Sequence, residues 1–167
     1  MTDESTTPNP TQLRYLDDLR PGERFTSGAC AISVAEIQAF ARRFDPQLVH
    51  LDEELARAGF FGGLAASGWH VAAVTMRLLV DGGLPFGGGM IGIENHIKWP
   101  RPTRPGDVLH VESEILEVSP SRSRPDRGVV EVRSRTLNQR GEEVQSMESK
   151  ILVFRKPGFS SSVGSRS

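Results

Sequence analysis

Cysteine is almost absent from this sequence, since Cys30 is the only one among 167 residues. A single cysteine excludes an internal disulfide and a thiolate zinc cluster. Long apolar runs are also absent: the most apolar stretch, 69–80, contains His70 and Arg77 and is too short for a membrane-spanning helix of about 20 residues. The first ten residues are polar and acidic, unlike a signal or transit peptide. We therefore expect a soluble, cytoplasmic protein.

A surplus of charge of either sign is missing as well. The chain has 20 basic and 21 acidic residues and a formal net charge of −1. No global field therefore attracts nucleic acid or an anionic membrane, and we expect neither as a partner. Length and composition suit one globular domain. We place this domain at 13–156 and expect disordered tails at 1–12 and 157–167, which are rich in small, polar residues and proline.

Two main helices are predicted in the first half of the chain. Ser33 and Glu36 form a capping box, and apolar residues recur behind it at helical spacing: Ile37, Phe40, Ala41 and Phe44. This pattern predicts an amphipathic helix with one buried stripe, which Pro46 ends. A second helix, about 68–80, begins after Ser67 and is apolar on nearly all sides, so we expect it to be buried in the middle of the domain.

Outside these helices the apolar residues follow a period of two. Alternating or β-branched segments separated by turn residues predict antiparallel strands, at 24–32, 90–99, 107–118, 128–138 and 143–154. Helices that come early, followed by a run of strands, favour an α+β domain. In such a domain an antiparallel sheet packs on one buried helix.

Asp45 and His50 lie five residues apart in a predicted loop, ahead of the second helix. Loops held by a rigid scaffold commonly carry catalytic groups, and an imidazole exchanges protons near neutral pH. A neighbouring carboxylate would fix the tautomer of the ring or hold a water beside it. The residues alone leave a second interpretation open, in which Asp45 ends a helix and His50 lies on the surface.

The segment 44–70 resembles the signature of the MaoC-like dehydratases, which are relatives of the R-specific enoyl-CoA hydratases. The resemblance rests on Asp45, four intervening residues and His50, followed by Phe61-Gly-Gly and Ala66-Ser-Gly68. Weaker similarity extends over roughly residues 20–154, through motifs at 99–102, 105–107, 121–125 and 138–141. The resemblance implies a single hot-dog fold, in which an antiparallel sheet wraps around a long central helix.

The same resemblance implies an enzyme that adds water to, or removes it from, the α,β-double bond of an acyl thioester. Asp45 and His50 would activate the water, and the Gly68 amide at the helix N-terminus would stabilise the thioester oxyanion. Glycine suits this position because no side chain obstructs the acyl group. The implied partners are an acyl-CoA substrate of fatty acid metabolism and a second copy of the chain, in a homodimer or a larger assembly. No cofactor is implied beyond the coenzyme A of the substrate, and the histidines lack metal-ligand spacing.

One position departs from the family pattern. The hydratases commonly read Asp-x-Asn-Pro-x-His, whereas this chain reads Asp45-Pro-Gln-Leu-Val-His50. The Asn-Pro pair is missing, while both reactive positions remain. Two other functions stay open beside the hydro-lyase: a hot-dog acyl-CoA thioesterase, and a non-catalytic acyl-binding subunit of a dehydratase complex.

The remaining candidate residues each allow two interpretations. His70 is either a buried or interface histidine or part of the pocket wall. Several loop arginines either meet the phosphates of coenzyme A through paired hydrogen bonds or belong to a solvated surface: Arg101, Arg104, Arg122 and Arg124. Gly87-x-Gly89-x-x-Gly92 has the letters of a dinucleotide-binding fingerprint, but it follows a helix and leads into a strand. We expect a flexible loop there.

Overall fold

A computed structural model describes residues 12–158, and within them five strands form one sheet. The strands are β1 (Arg24–Ala31), β2 (Ile91–Lys98), β3 (Val108–Pro120), β4 (Arg127–Leu137) and β5 (Glu143–Phe154). Their order across the sheet is β1-β3-β4-β5-β2, and every neighbouring pair is antiparallel. Side chains alternate between the two faces along β3, β4 and β5, which is the period that predicted these strands.

A short 3-10 helix (Leu16–Asp18) precedes β1, and the α-helices lie between β1 and β2 in the chain. They are α1 (Val34–Phe44), α2 (Leu48–Leu51), α3 (Glu53–Ala58) and α4 (Gly68–Leu78), and a π-helical turn over Leu79–Gly83 continues α4. Early helices followed by strands thus give the predicted α+β domain, and the short α2 carries His50. The expected tails fall largely on residues 1–11 and 159–167, which lie outside the described residues.

The predicted capping box begins α1. The hydroxyl of Ser33 accepts a hydrogen bond from the Glu36 amide at 3.2 Å, and the Ser33 amide donates to the Glu36 carboxylate at 2.8 Å. Two amides of the first helical turn are thereby satisfied. The Ser33 hydroxyl also donates to Glu36 at 2.6 Å, and these bonds hold the pKa of the Glu36 carboxyl below its ordinary value.

The predicted buried stripe of α1 is shorter than its spacing suggests. Ile37 and Ala41 are fully buried, whereas Phe44 is 61% exposed. The prediction is therefore wrong at Phe44, because α1 reaches the edge of the core at its last residue. Its ring rests instead on Phe40, with the ring centres 5.0 Å apart, and under the guanidinium of Arg43.

The central helix α4 is buried on one face only. Val71 and Leu78 belong to the main core, and Thr75 hydrogen-bonds across it to Thr136 of β4 at 2.7 Å. The opposite face carries an exposed apolar stripe, which comprises Trp69, Met76 and Val80. Burial on all sides is therefore a wrong expectation for the described chain, since the sheet and α1 cover only part of this helix.

The glycine-rich loop before β2 packs on the segment that precedes β1. Arg14 and Phe86 form a parallel bridge, in which Arg14 donates to Pro85 and Gly87 donates to Arg14, both at 2.7 Å. A side chain at Gly87 would collide with the ring of Tyr15. The loop leads into β2 as predicted, and its glycine serves close packing rather than a dinucleotide.

No helix within residues 12–158 is long and apolar enough to cross a membrane.

Replacing Ile37 with Ala should lower the free energy of unfolding by about 2–5 kcal/mol, because it leaves a cavity in the core. Phe44→Ala removes a larger side chain from an exposed site and should cost less than about 1 kcal/mol. Urea unfolding followed by circular dichroism measures both. Equal losses in the two variants would show that the stripe extends to Phe44 after all.

Candidate active site

Asp45 lies where α1 ends. Its amide donates to the carbonyl of Ala41 at 2.9 Å, which closes the last helical turn. Pro46 prevents the chain from continuing as a helix, and the side chain of Asp45 is left at the helix end. Its carboxylate accepts two short hydrogen bonds: the Ser67 hydroxyl donates to Oδ2 and the side-chain amide of Gln47 donates to Oδ1, each at 2.6 Å.

These two donors favour the ionised form of Asp45. The hydrogen bond from Ser67, and next that from Gln47, hold the pKa of the Asp45 carboxyl below its ordinary value, against the opposing effect of burial. The carboxyl is therefore ionised at neutral pH. Because folding lowers its pKa, it contributes stability above its unfolded pKa, and this contribution is lost as the pH falls through the folded value.

His50 is buried on α2, with 7% of its surface exposed. Its Nδ1 lies 2.7 Å from the carbonyl oxygen of Ala65. A carbonyl only accepts hydrogen bonds, so Nδ1 carries the proton. In the neutral ring Nε2 then has a lone pair, and it lies 3.3 Å from Oδ2 of Asp45. Two acceptors thus face each other, and either a proton on Nε2 or a water that donates to both satisfies them.

Ser67 joins this pair to the start of α4. Its hydroxyl caps the helix by accepting a hydrogen bond from the Trp69 amide at 3.3 Å, while it donates to Asp45. Gly68 is the first residue of α4, and its N–H belongs to the first-turn amides that lack an acceptor within the helix. The positive end of the helix dipole lies at the same place. The site therefore combines a carboxylate, an imidazole and a helix N-terminus.

The structure shows a further reason for a glycine at position 68. A Cβ at Gly68 would lie 2.8 Å from the indole ring of Trp99, closer than real Cβ contacts allow. The nearest obstacle is thus a side chain of this protein rather than an acyl group. Trp99 is held there by a hydrogen bond from its Nε1 to Gln145 at 2.8 Å, and Trp69 packs edge-on against it.

A cavity of about 760 Å³ opens over these groups. Asp45, His50 and Gly68, the three predicted site residues, all line it. This size is within the range of small-molecule binding pockets. The rest of the wall is mainly apolar and includes Val49, Phe60, Phe61, Trp69, Val71, Trp99, Pro100 and Pro102. An uncharged, apolar group fits such a wall.

The other histidines lie outside this cavity. His70 is buried, and its ring stacks on Phe40 with the ring centres 4.8 Å apart. Burial lowers the pKa of His70, and nearby Glu36 opposes this effect. The expectation of a buried histidine is confirmed. His96 and His110 lie on β2 and β3. Across residues 12–158, no group of His, Cys, Asp and Glu side chains is arranged to hold a metal ion.

The loop arginines divide into three groups. Arg101 lines the cavity. Arg104 does not project freely as a phosphate ligand would, because its guanidinium donates to the backbone carbonyls of Phe61, Gly63 and Leu64. Arg122 and Arg124 lie in the turn between β3 and β4, away from the cavity lining.

Sequence reasoning missed the two donors to Asp45. Ser67 was predicted only as a helix cap, and Gln47 was noted only as a departure from Asp-x-Asn. The structure gives Gln47 an amide donor two residues after Asp45, the spacing at which the family pattern has Asn. That shared amide was the available signal for Gln47. The second bond of Ser67 had no sequence signal, since it crosses 22 positions.

Comparison with known proteins gives the family. The MaoC like domain matches residues 19–138. A MaoC-like dehydratase from Rhodospirillum rubrum is 58% identical, covers 86% of this chain and 99% of its own, and superimposes with a TM-score of 0.85. An unliganded R-hydratase from Pseudomonas aeruginosa is 28% identical, with coverages of 85% and 86% and a TM-score of 0.71. The chain belongs to the MaoC-like domain family and has the hot-dog fold that its sequence predicted.

A curated relative is similar along nearly its whole length. The uncharacterized protein YdeM of Bacillus subtilis (strain 168) is 34% identical over 142 residues, which cover 84% of this chain and 99% of the relative. The similarity thus reaches beyond the segment with Asp45 and His50 and includes the strands.

Ser67→Ala should raise the pKa of the Asp45 carboxyl, because it removes the donor with the largest effect. An NMR titration of the ¹³C-labelled carboxyl groups measures this. Ser33→Ala is the matched control: it removes the cap of α1, at a similar cost of about 1 kcal/mol, without touching Asp45. An unchanged Asp45 pKa in Ser67→Ala would contradict the assigned hydrogen bond.

Proposed function

We propose that this protein is a hydratase or dehydratase that adds or removes water at the α,β-double bond of an acyl thioester. The observation that carries the proposal is the 3.3 Å approach of Asp45 Oδ2 and His50 Nε2 in a cavity that also reaches the Gly68 amide. The R. rubrum relative is named a dehydratase and the P. aeruginosa neighbour an R-hydratase. Both names agree with a water-adding or water-removing enzyme.

The protonation states divide the work between the two side chains. The hydrogen bonds from Ser67 and Gln47 lower the pKa of Asp45, which makes it a weak proton acceptor, whereas Nε2 of His50 has a free lone pair in the neutral ring. A water beside the pair, on the cavity side, donates one hydrogen bond to each. His50 therefore takes the proton of the water, and Asp45 holds the water and stabilises the imidazolium that forms.

Hydration then follows in two stages. The hydroxide oxygen bonds to the β-carbon, and the electrons of the double bond move through the α-carbon to the thioester oxygen. The Gly68 N–H stabilises this oxyanion together with the helix dipole. The enolate next collects a proton at the α-carbon from His50, which restores the neutral ring. A hydrogen and a hydroxyl group have been added with no net oxidation or reduction. Dehydration is the same sequence in reverse.

The apolar wall supports an acyl chain as the bound group. Aromatic and proline side chains surround the cavity, and Arg101 lines it as well. We propose an acyl-CoA of fatty acid metabolism as the substrate, with coenzyme A as part of the substrate and no separate cofactor. The proton transfers above use only side chains of this protein and water.

Self-association belongs to the same proposal. The apolar stripe of α4 is exposed, and so are Ile91 and Ile93 on β2, which forms one edge of the sheet. Large exposed apolar surfaces are typical of interaction sites. We propose a homodimer in which this stripe and this sheet edge are covered by a second copy.

Hydration should be lost when either reactive group is removed. We expect Asp45→Asn and His50→Ala to lower the rate by about 10²–10⁴-fold, the usual contribution of a positioned acid or base. Short, branched and long enoyl-CoA substrates are incubated with the protein, and the products are identified by mass spectrometry. His96→Ala, on an exposed strand position, controls for the loss of a histidine.

Two other outcomes would overturn the proposal. Release of free coenzyme A without hydration would identify a thioesterase. Undiminished hydration in Asp45→Asn, in a complex reconstituted with a partner chain, would identify a non-catalytic subunit.

Met76→Lys should weaken the dimer, because it places a charge in the apolar stripe. Leu55→Lys is the matched control, since Leu55 is 53% and Met76 47% exposed, and Leu55 lies on α3. Light scattering coupled to size exclusion measures the mass of each variant. A monomeric wild type, or equal effects of both changes, would contradict this interface.

A further inference from the structure

Arg104 acts as a clamp on the loop between α3 and α4. Its guanidinium is partly buried and donates to the carbonyl oxygens of Gly63 at 2.9 Å and Leu64 at 3.2 Å, and also to that of Phe61. A Cβ at Gly63 would lie 3.3 Å from Nη1 of Arg104, so a glycine there leaves room for the approach. One side chain thus satisfies several carbonyls of a segment that has no regular structure.

The clamp itself has a fixed base. The Arg104 amide donates to the Asp107 carboxylate at 2.8 Å, and Asp107 is only 2% exposed. The carbonyl of Thr103 accepts from the Ala66 amide at 2.9 Å. The chain around Arg104 is therefore joined to the loop by both backbone and side-chain bonds, and the guanidinium has a defined position from which to hold it.

The held loop leads directly to the partner of His50. The residue after Leu64 is Ala65, whose carbonyl lies 2.7 Å from Nδ1 of His50. Ala65 is otherwise joined to α2 by a long bond from its amide to Val49, at 3.4 Å. The Ala65 carbonyl shares its planar peptide unit with the Ala66 amide, so the bond from that amide to Thr103 orients it on one side. On the other side the guanidinium of Arg104 holds the Leu64 carbonyl, in the peptide unit that precedes Ala65, and so positions the chain that leads to it.

Two acceptors compete for the one proton of the neutral imidazole. The Ala65 carbonyl attracts it to Nδ1, and the Asp45 carboxylate, 3.3 Å from Nε2, attracts it to Nε2. A charged acceptor binds a proton donor more strongly than a neutral one at equal geometry. The Nδ1–H form therefore predominates only if the Ala65 carbonyl is held close to Nδ1 and in line with its N–H bond. With the proton on Nε2, His50 has no lone pair to take a proton from water.

We propose that Arg104 is a positioning residue for His50: by clamping the 61–64 loop it places the Ala65 carbonyl so that the neutral ring keeps its proton on Nδ1. The catalytic consequence rests on the proposed function, whereas the tautomer itself does not. Lysine cannot replace arginine here, because an ammonium lacks the planar fork that reaches several carbonyls at once.

The tautomer is measured directly by long-range ¹H–¹⁵N NMR of protein labelled at histidine, at a pH where the imidazole is neutral. The chain has four histidines, and the His50 signals are assigned by their absence in His50→Ala. Wild type should show Nδ1–H, and both Arg104→Lys and Arg104→Met should shift the ring toward Nε2–H. Arg101→Met is the control for the tautomer, since the guanidinium of Arg101 donates to the Glu143 carbonyl at 3.4 Å and lies near Glu142, not on the loop that leads to Ala65.

The kinetic constants of the enzyme provide a second measurement, independent of that of the tautomer. Misplacing a reacting group by about 1 Å costs on the order of 10²-fold, so kcat should fall by about 100-fold in Arg104→Lys, with KM changed much less. Thermal unfolding identifies any variant that fails to fold. If Arg104→Met does not fold, Arg104→Lys decides the test, because lysine keeps the positive charge and the aliphatic part of the side chain. Retention of Nδ1–H in a folded Arg104→Lys protein would overturn the proposal. A shifted tautomer in a protein whose wild type hydrates nothing would overturn the function alone.

Discussion

The hydroxyl of Ser67 holds the site together, because it serves two helices at once. It accepts from the amide of Trp69 and so begins α4, and it donates to Asp45, which ends α1. A hydroxyl has one proton to give, and here that proton goes to a carboxylate. The end of one helix and the start of another are thus joined, and the same bond favours the ionised form of Asp45. His50 and Gly68 lie beside this junction as a consequence.

The wall of the cavity is held from inside the core. Trp99 donates to Gln145, Gln145 donates to Thr75, and Thr75 bonds to Thr136, at 2.8, 3.0 and 2.7 Å. Gln145, Thr75 and Thr136 are fully buried. Buried polar groups are costly unless each has a partner, and here the partners form a chain from α4 to β4 and β5. The indole that limits position 68 is therefore oriented by the sheet, so that core packing and pocket shape are set by the same residues.

The periodicity of the apolar residues predicted the strands closely. The spacing of residues within one segment predicted only part of the site. The predicted strands match the observed ones to within two residues. In β3, β4 and β5 the reason is that successive side chains alternate between a more buried and a more exposed face, whereas β2 is exposed along almost its whole length. The error at Phe44 arose because helical spacing does not tell where the core beneath a helix ends. Asp45, His50 and Gly68 were found through a family resemblance. The contacts of Ser67, Arg104 and Trp99 join residues 22 or more positions apart, and spacing within a segment contains no information about them.

Trp69 connects the site to the outer surface of the molecule. Its indole lines the cavity and packs on Trp99, yet it is 62% exposed and belongs to the apolar stripe of α4. An apolar ring in this position lowers its free energy by leaving water, either against a bound acyl chain or against another protein surface. A second copy that covered the stripe would therefore remove water from one wall of the cavity as well. Electrostatic interactions between Asp45, His50 and a bound water strengthen as water is excluded. In the proposed homodimer, assembly would therefore favour the proposed catalysis through one side chain, without any movement of the reacting groups.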